Sequence, residues 1–524
     1  MKALHEADGL GVVGRTDGEQ QCERGNAAEY LLEAGSPEDP AILDAGRRFS
    51  YADLSAAGAK LANGLVAEGV PPGSRIAILG PNSFFWAAAY LASLRGYVAV
   101  PLSDKLSPAS IRDQAERVDC RAAFIDRRYL KRFGDSFDGR LPVLTDEYLE
   151  GPTADWPTPA AADLDADALL LFTSGTTAAA KVVRLTHRNI VANTDSIITY
   201  LGLQRADRML VVLPFFYCYG LSLLHTHLRV GGSVALCNSF VFPEVALDLV
   251  ECERCTGFAG VPSTFQMLLR ASSFRTRELP SLRLIQQAGG KLSPVLIEEL
   301  VEAQPSASLF VMYGQTEATA RLSYLPPELV LEKLGSIGKG IPGVSLRVQD
   351  ESGRPVAPGE TGEIFACGAN ISPGYLDEPQ ASESKFPAGE LRTGDLATVD
   401  EDGFIYIVDR VDDFIKSWGH RISSQEVEAA ALKLRDLVSA AAVGVPDEDA
   451  GEAVTLVVTL APGSGTTADD ILTFTRQQLP KHMVPKTVHV VDAIPLNANG
   501  KVAKTQVREL VRQLSVASQD TPGA

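Results

Sequence analysis

Short apolar runs alternate with amphipathic segments in the first 150 residues, and this alternation restricts the fold more than any other feature. Residues 51–68 carry leucines at helical spacing, and the segment Phe84–Leu94 is rich in alanine and leucine. The runs Arg75–Leu79 and Val98–Leu102 are short and apolar, as buried strands are. Strands that alternate with helices form parallel sheets in layered α/β domains. We therefore predict ligand sites beyond the carboxyl ends of the strands.

One such strand end, after the apolar run 169–172, has the composition of a phosphate-binding loop. Hydroxyl and glycine side chains follow it, then Lys181, and then an amphipathic segment that opens at Thr186. We predict the order strand, loop, helix, which gathers N–H groups and hydroxyls around phosphate oxygens. It is not a Walker loop, because Ala180 and Val182 break that pattern. A Ser/Thr-rich turn that caps a helix explains this stretch alone equally well. The loop residues are Thr173, Ser174, Gly175, Thr176 and Thr177.

Three further strand ends carry polar, aromatic or small residues. Aromatic side chains beside Gly220 follow the strand predicted at 209–213, and they fit either a substrate pocket or core packing. The strand predicted at 282–285 leads to small residues against which a flat ligand can lie. The strand predicted at 309–312 leads to a hydroxyl and a carboxylate, which suit a phosphate and its magnesium. The residues concerned are Tyr217, Cys218, Tyr219, Ala288, Gly289, Gly290, Tyr313, Gly314, Thr316 and Glu317.

The last third of the chain has a different pattern. Gly/Pro turns and short strands from Gly335 onward predict a small antiparallel β unit. Beyond Ser423, which opens a capping box with Glu426, three strands and three helices predict an α+β domain. A chain of 524 residues is expected to form two to four domains. We predict a flexible lead-in at 1–25, an N-terminal domain at 26–410, a C-terminal domain at 411–514 and a flexible tail at 515–524.

Composition narrows the classes of partner. The formal net charge of −18 disfavours duplex nucleic acid, which binds to basic surfaces. No apolar run approaches the ~20 residues of a membrane span, and the first residues lack the apolar core of a signal peptide. Seven scattered cysteines suit a reduced compartment, so we predict a cytoplasmic protein. Cys252 and Cys255 have C-x-x-C spacing, but no second pair follows, so we interpret them as surface or core cysteines.

Five motifs occur in a specific order and spacing: the phosphate loop, the segment 313–317, the segment 392–395, the segment 409–413 followed by Lys416 and Gly419, and the segment 499–501. Together they resemble those of the acyl-adenylate-forming superfamily over residues 28–514. The resemblance implies a large layered N-terminal domain, built of two α/β subdomains and the antiparallel unit, with a smaller mobile C-terminal domain. It also implies that a carboxylic acid and ATP-magnesium form an acyl-adenylate and pyrophosphate. The acyl group then passes to the thiol of coenzyme A or of a carrier-protein phosphopantetheine.

The same resemblance implies a role for each motif residue. The phosphate loop and Lys181 would hold the β- and γ-phosphates, Thr316 the α-phosphate, and Glu317 the magnesium. Lys501 would bridge the substrate carboxylate and the α-phosphate. Asp395 and Arg410 would bind the ribose, and Ala288, Gly289, Gly290 and Tyr313 would form the adenine slot. Gly314 would also belong to the nucleotide site. The acid pocket would comprise Tyr217, Cys218, Tyr219, Gly220, Val261 and Met312. Asp412 would be the hinge of a domain rotation, and Lys416 and Gly419 would lie beside the thiol tunnel.

The chain departs from the family pattern at two places. Ala178, Ala180 and Val182 stand where relatives commonly have glycine, proline and glycine, which puts the rate of adenylation in question. Tyr217 stands where many relatives have histidine, and Cys218 stands where amino-acid-activating relatives have aspartate. Without that aspartate a substrate ammonium would be costly in an apolar pocket, so we predict a hydrophobic fatty or aryl acid.

Three alternatives remain at this stage. A stand-alone adenylation enzyme would load a carrier protein with an amino or other acid. A nucleotide-binding regulatory protein would have lost catalysis through its altered loop. A luciferase-like oxygenase would need a dedicated luciferin.

Overall fold

The computed structural model describes residues 26–137, 139–152, 155–157, 163–173, 180–240, 242–410, 414–447, 450–461, 463–497 and 500–519. Its strands in chain order are β1 Pro40–Asp44, β2 Arg47–Ser50, β3 Arg75–Leu79, β4 Val98–Leu102, β5 Cys120–Ile125, β6 Val143–Leu144, β7 Asp167–Phe172, β8 Val182–Thr186, β9 Arg208–Val211, β10 Ser233–Leu236, β11 Gly257–Gly260, β12 Leu284–Gln287, β13 Ser308–Tyr313, β14 Ser323–Leu325, β15 Lys339–Gly340, β16 Val344–Gln349, β17 Thr361–Gly368, β18 Gly374–Tyr375, β19 Leu391–Val399, β20 Ile405–Arg410, β21 Ile415–Ser417, β22 His420–Ile422, β23 Leu437–Asp447, β24 Gly451–Leu460 and β25 Thr487–Val490.

The α-helices lie between these strands for most of the chain. They are α1 Ala27–Leu32, α2 Tyr51–Ala67, α3 Phe84–Leu94, α4 Pro108–Arg117, α5 Arg127–Phe133, α6 His187–Leu201, α7 Cys218–Arg229, α8 Pro243–Cys252, α9 Pro262–Ala271, α10 Pro294–Ala303, α11 Pro379–Lys385, α12 Ser424–Ala431, α13 Ala468–Gln478 and α14 Lys504–Gln519. No helix among the described residues is both long and apolar enough to cross a membrane.

Two large sheets form the N-terminal part of the molecule. The nine-stranded sheet has the order β15-β14-β13-β12-β11-β9-β10-β1-β2, and its six central strands run parallel. The seven-stranded sheet has the order β18-β8-β7-β4-β3-β5-β6, with parallel pairing from β7 to β6. One core cluster joins residues of both sheets with α2, α3, α6 and α7. The interior therefore has the layered α/β form that the alternating pattern predicts.

The helix predicted to open at Thr186 is present, but a strand that the sequence pattern did not predict separates it from the loop. This strand, β8, pairs antiparallel with β7, so the segment is a β-hairpin. Val182 and Val183 are β-branched and fully buried there, which favours an extended strand. The helix α6 begins only at His187, where Thr186 caps it with a capping box. No helix N-terminus therefore directly follows the loop.

The predicted antiparallel unit is a four-stranded sheet in the order β16-β17-β19-β20. The C-terminal part contains the sheet β22-β21-β24-β23, with β25 parallel to β24. Its helix α12 begins after Ser423, whose hydroxyl accepts from Glu426 N. The two α/β subdomains, the antiparallel unit and the smaller α+β domain confirm the predicted fold class.

One predicted strand is displaced in a way that affects the site. We predict a strand at 282–285, whereas β12 spans Leu284–Gln287. The two glutamines look like the start of a polar loop in the sequence. In the structure Gln286 and Gln287 are central in a parallel sheet and almost fully buried, at 1% and 0% exposure. Backbone pairing with β11 and β13 therefore outweighs the polar character of both side chains.

Candidate active site

Four neighbouring parallel strands of the nine-stranded sheet end at one edge. They are β9, β11, β12 and β13. Because carboxyl ends of parallel strands lie together, the loops that follow them meet there. These loops carry the predicted aromatic residues, Val261, the small residues 288–290 and the segment 313–317. The structure thus brings together residues that are about 100 positions apart in the chain.

Cys218 and Thr316 join two of these loops. Cys218 is the first residue of α7 and is buried, and its sulphur accepts a hydrogen bond from the Thr316 hydroxyl at 3.6 Å. Burial raises the pKa of the Cys218 thiol, while the Thr316 hydrogen bond and the cations Lys501 and Arg321 oppose the rise. The raised pKa keeps the thiol protonated at neutral pH, which disfavours Cys218 as a nucleophile.

Lys501 comes to the same edge from the C-terminal domain. Its Nζ lies 5.5 Å from the centroid of the Tyr217 ring. The turn that carries it is closed by Lys501 N, which donates to Asn497 Oδ1 at 3.0 Å. Across the domain boundary, Ser263 Oγ donates to Gly500 O at 2.8 Å. The predicted catalytic lysine and the predicted acid pocket are therefore in contact, although 284 positions separate Lys501 from Tyr217.

Gly289 lies between these groups and has no room for a side chain. Its φ is +87°, and a Cβ there would lie 2.9 Å from Val261 Cγ1 and 3.2 Å from the Tyr217 hydroxyl. The same Cβ would lie 3.3 Å from Lys501 Cε. Glycine is thus required both by the backbone conformation and by close approach of the C-terminal domain. Its neighbours Ala288 and Gly290 bond through their backbones to Gly260 O and to the Gln287 side chain.

Tyr313 and Asp395 form the next pair. The Tyr313 hydroxyl donates to Asp395 Oδ2 at 2.5 Å, and Asp395 is 4% exposed. Asp395 lies in β19, opposite Arg410 of β20 in the strand register. Gly314 is forced by close packing, because a Cβ there would lie 2.0 Å from Ala320 O. The structure therefore joins a segment of the nine-stranded sheet to the antiparallel unit at this point.

Thr173 and Lys181 flank the predicted phosphate loop at the base of the β7–β8 hairpin. Thr173 N donates to Lys181 O at 2.9 Å, and Lys181 N donates to the Thr173 hydroxyl at 3.1 Å. These two bonds fix the two ends of the loop against each other. The predicted residues Ser174, Gly175, Thr176 and Thr177, together with Ala178 and the predicted hinge Asp412, lie outside the described residues.

Tyr375, which no sequence motif singles out as a site residue, connects the loop to Glu317. Its hydroxyl donates to Glu317 Oε1 at 2.8 Å, and the Lys181 ammonium lies 4.7 Å from its ring centroid. Burial and the Glu317 carboxylate raise the pKa of Tyr375, which therefore remains a hydrogen-bond donor. Tyr375 belongs to β18, which pairs with β8. Only this edge pairing brings it beside both predicted phosphate-site residues.

The predicted acid-pocket side chains pack together behind Lys501. Tyr217, Cys218, Tyr219, Val261 and Met312 are each at most 7% exposed. The Tyr217 and Tyr219 rings meet edge to face, with centroids 6.4 Å apart. The predicted pocket residue Gly220 has no room for a side chain, because a Cβ there would lie 2.2 Å from Pro214 O.

Three further residues reach the same wall and were not predicted. They are Tyr200, Gln286 and Arg321. Tyr200 donates to Met312 Sδ at 3.0 Å, and the Arg321 guanidinium lies 3.9 Å from the centroid of the Tyr219 ring. The only sequence signal for Arg321 is its place four residues after Glu317.

The predicted thiol-tunnel residues lie in the β21–β22 hairpin of the C-terminal domain. Lys416 N donates to Glu452 Oε2 at 2.7 Å, and Gly419 has a φ of +76° with no atom within 4 Å of a Cβ position.

A surface cavity of about 400 Å³ lies elsewhere, lined by residues that include Tyr51, Ser55 and Trp156. It contains none of the motif residues. Among the described residues, no group of three or more His, Cys, Asp or Glu side chains could hold a metal ion by itself. A single carboxylate such as Glu317 fits magnesium when phosphate oxygens complete its coordination. The Gly289 cradle and the Tyr313–Asp395 pair likewise fit a nucleotide.

Residues 32–376 match the AMP-binding enzyme family, and residues 426–501 match the AMP-binding enzyme C-terminal domain. The chain belongs to the AMP-binding enzyme family. Feruloyl-CoA synthase from Amycolatopsis sp is 33% identical over 90% of this chain and 96% of its own length. 2-Succinylbenzoate–CoA ligase from Bacillus pumilus is 31% identical over 90% of this chain and 95% of its own.

A solved structure with the same fold is o-succinylbenzoate coenzyme A synthetase from Bacillus subtilis in complex with ATP and magnesium ion. Its TM-score is 0.82 at 30% identity, over 93% of this chain and 99% of that one. These findings confirm the predicted superfamily and the enzyme class. The protein is an ATP-dependent acid–thiol ligase that activates a carboxylic acid before transfer to a thiol.

Proposed function

We propose that the enzyme converts an aryl carboxylic acid into its coenzyme A thioester through an acyl-adenylate. One observation carries the assignment of the site: Lys501 lies against Tyr217 and Gly289 at the strand ends that also hold Thr316. The aromatic wall of Tyr217 and Tyr219 supports an aryl acid, since flat rings pack well on aromatic side chains. The names of the relatives, feruloyl-CoA synthase and 2-succinylbenzoate–CoA ligase, point to the same class of acid.

In the first half-reaction, an oxygen of the acid's carboxylate attacks the α-phosphorus of ATP. The bond from that phosphorus to the bridging oxygen breaks, and pyrophosphate leaves with the electron pair. Two anions approach each other in this step, so a cation between them lowers the barrier. Lys501 is proposed to supply it, and the Thr316 hydroxyl to donate to the α-phosphate. No proton is transferred in this step, so the residues contribute by positioning the reactants and by their charge.

The nucleotide is proposed to lie along the adjoining groups. Asp395 and Arg410 would bind the ribose, and the backbone at 288–290 with Tyr313 and Gly314 would hold the adenine. Lys181, Thr173 and the loop between them would bind the β- and γ-phosphates. Magnesium, when bound beside Glu317, neutralises charge on the departing pyrophosphate. Tyr375 fixes the orientation of the Glu317 carboxylate by its hydrogen bond.

In the second half-reaction, the thiolate attacks the acyl carbonyl carbon, and AMP leaves with the electrons of the broken carbon–oxygen bond. Lys416 and Gly419 are proposed to line the thiol path after a rotation of the C-terminal domain about Asp412. The described orientation, with Lys501 against Tyr217, suits the first half-reaction. A rotation would have to break the Ser263–Gly500 hydrogen bond.

The test of the activity is an ATP–pyrophosphate exchange screen over aryl, fatty and amino acids. We expect exchange with aryl acids, and AMP release when coenzyme A is then added. AMP release only with a phosphopantetheinylated carrier protein would show that the carrier protein, rather than coenzyme A, is the acceptor. Absence of exchange with every acid would contradict the proposal and favour a regulatory nucleotide-binding role.

The test of the site is Lys501→Ala. Because the lysine acts only while charge gathers at the α-phosphorus, we expect exchange to fall at least about 100-fold. Thioester formation from supplied acyl-adenylate should be retained. Lys433→Ala is the matched control, since Lys433 is an exposed lysine of the same domain that contacts Gln478. Equal loss of both half-reactions in Lys501→Ala would refute the assigned role.

A further inference from the structure

Arg321 is a buried cation with no carboxylate partner in the described part of the chain. It is 1% exposed, and its guanidinium packs over the Tyr219 ring. Its Nε points to Met312 Sδ at 3.5 Å, and its Nη1 to the adjacent Ala320 O at 3.5 Å. Its Nη2 has no hydrogen-bond partner among the described residues.

Another buried arginine shows the usual solution. Arg270 forms a bidentate pair with Glu299, and the two side chains are 6% and 4% exposed. Burying an ion without such a partner is costly, and a cation–π contact offsets only part of that cost. The folded chain therefore leaves Arg321 with an unused capacity to bind an anion.

The side-chain amide of Gln286 also lacks hydrogen-bond partners among the described residues, and it lies on the same side of the sheet. It is 1% exposed, and neither Oε1 nor Nε2 of its amide has a partner among the described residues. Alternate residues of a strand share a face, and Leu284 and Ala288 belong to the core cluster that also contains Met312 and Tyr219. Gln286 O accepts from the Tyr219 hydroxyl at 2.7 Å, which holds the two residues together.

Arg321 and Gln286 contact a different residue of the aromatic pair Tyr217 and Tyr219 from the one that Lys501 contacts. Lys501 contacts the Tyr217 ring, whereas Arg321 contacts the Tyr219 ring. The two rings touch each other edge to face. An acid whose carboxylate meets Lys501 and whose body follows these rings would direct its other end towards Arg321 and Gln286.

We propose that the substrate carries a second carboxylate at that end, bound by Arg321 and assisted by the Gln286 amide. A carboxylate is favoured over a neutral oxygen group because it supplies the missing counter-charge and accepts paired N–H bonds. The proposal rests on the proposed function, because it takes the site beside Lys501 as the acid pocket. It narrows the substrate class from aryl acids in general to those that carry a second carboxylate.

The test compares acids that differ only at the far end. The probes are 3-phenylpropenoic acid with its 4-carboxy and 4-hydroxy derivatives, and unbranched acids of four to ten carbons with one or two carboxyl groups. The measurement is kcat/KM for ATP–pyrophosphate exchange. We expect a dicarboxylic acid to exceed its matched monocarboxylic acid by about tenfold to 100-fold. Equal kcat/KM values for monocarboxylic and dicarboxylic acids in both the aryl and the unbranched series would overturn the proposal. A higher kcat/KM for the 4-hydroxy than for the 4-carboxy derivative would also overturn it.

Arg321→Met supplies the second arm, since it keeps the length of the side chain and removes its charge. We expect the preference for the dicarboxylic acid to disappear, mainly because its KM rises, while the monocarboxylic acid remains a substrate. Arg321→Lys should retain part of the preference. An unchanged ratio in Arg321→Met would contradict the proposal. If that variant fails to fold, Gln286→Met decides: a smaller preference than in the wild type supports the proposal, and an undiminished preference overturns it.

Binding without turnover separates this proposal from the proposed function. The melting temperature of the wild type is measured with each dicarboxylic probe and with its monocarboxylic match. A larger rise with the dicarboxylic acid, absent in Arg321→Met, would support the Arg321 site even if no acid gave exchange. No exchange with any acid would contradict the proposed function alone.

Discussion

The two large sheets are built alike, but they contribute to the site in different ways. The nine-stranded sheet supplies backbone edges and pocket walls from four parallel strand ends. The seven-stranded sheet supplies Thr173, Lys181 and Tyr375 from its antiparallel strands β7, β8 and β18. Parallel strand ends gather loops distant in sequence, whereas an antiparallel edge places individual side chains across from them. We therefore expect activity to depend on steric fit at the edge of the nine-stranded sheet, and on single polar side chains at the edge of the seven-stranded sheet.

Among substitutions that compare the two sheets, the largest effect on activity is expected from Gly289→Ala in the nine-stranded sheet. A Cβ there would meet Val261, Tyr217 and Lys501 at a φ of +87°, so the Lys501 turn could not close. We expect pyrophosphate exchange to fall about 100-fold, in line with displacement of a positioned group.

Gly335→Ala is its matched control. Gly335 has a φ of +83°, but its Cβ position has only Pro294 Cγ nearby, at 3.9 Å. Equal losses in both variants would show that backbone strain, rather than contact with Lys501, limits the activity.

A smaller effect is expected from Tyr375→Phe in the seven-stranded sheet. It removes the hydrogen bond to Glu317 and keeps the ring beneath Lys181. We expect kcat/KM for ATP to fall about tenfold, the value of one hydrogen bond to a charged group. Tyr406→Phe is the control, because its hydroxyl also donates to a carboxylate, Asp400, away from the motif residues. An unchanged kcat/KM in Tyr375→Phe would remove Tyr375 from the site.

The smallest effect at neutral pH is expected from His225→Gln, in the layer between the sheets. Burial lowers the pKa of His225 from 6.5 to about 3, and its Nε2 bonds with the Tyr90 hydroxyl. The unfolded chain binds a proton below pH 6.5 and the folded chain does not, so this contribution to stability is lost as pH falls.

We expect His225→Gln to reduce the drop in unfolding free energy between pH 7 and 5 by about 2 kcal/mol. Denaturant unfolding at each pH measures it, with the exposed His482→Gln as control. An identical drop in the wild type and in His225→Gln would show that this histidine does not set the acid sensitivity.

Periodicity and turn residues were enough to predict several elements to the residue. The helix Phe84–Leu94 and the strand Val98–Leu102 have the predicted bounds. A buried helix or strand needs apolar residues at the spacing of its own backbone, and that spacing is visible in the sequence. The strand β8 was missed, because five residues with a central arginine carry little periodic signal. It is decided by pairing with β7, which exists only in the folded sheet.

The sequence by itself determined the family and the enzyme class, and it supplied the residues that we propose for the site, since ordered motifs preserve chemistry at fixed points in the chain. Only the tertiary structure decided that Tyr375 meets Glu317 and that Lys501 enters from another domain. It alone also distinguished Arg321 from Arg270, which look alike in the sequence. The physical reason is that the cost of a buried charge depends on its neighbours, and strand order and packing choose those neighbours.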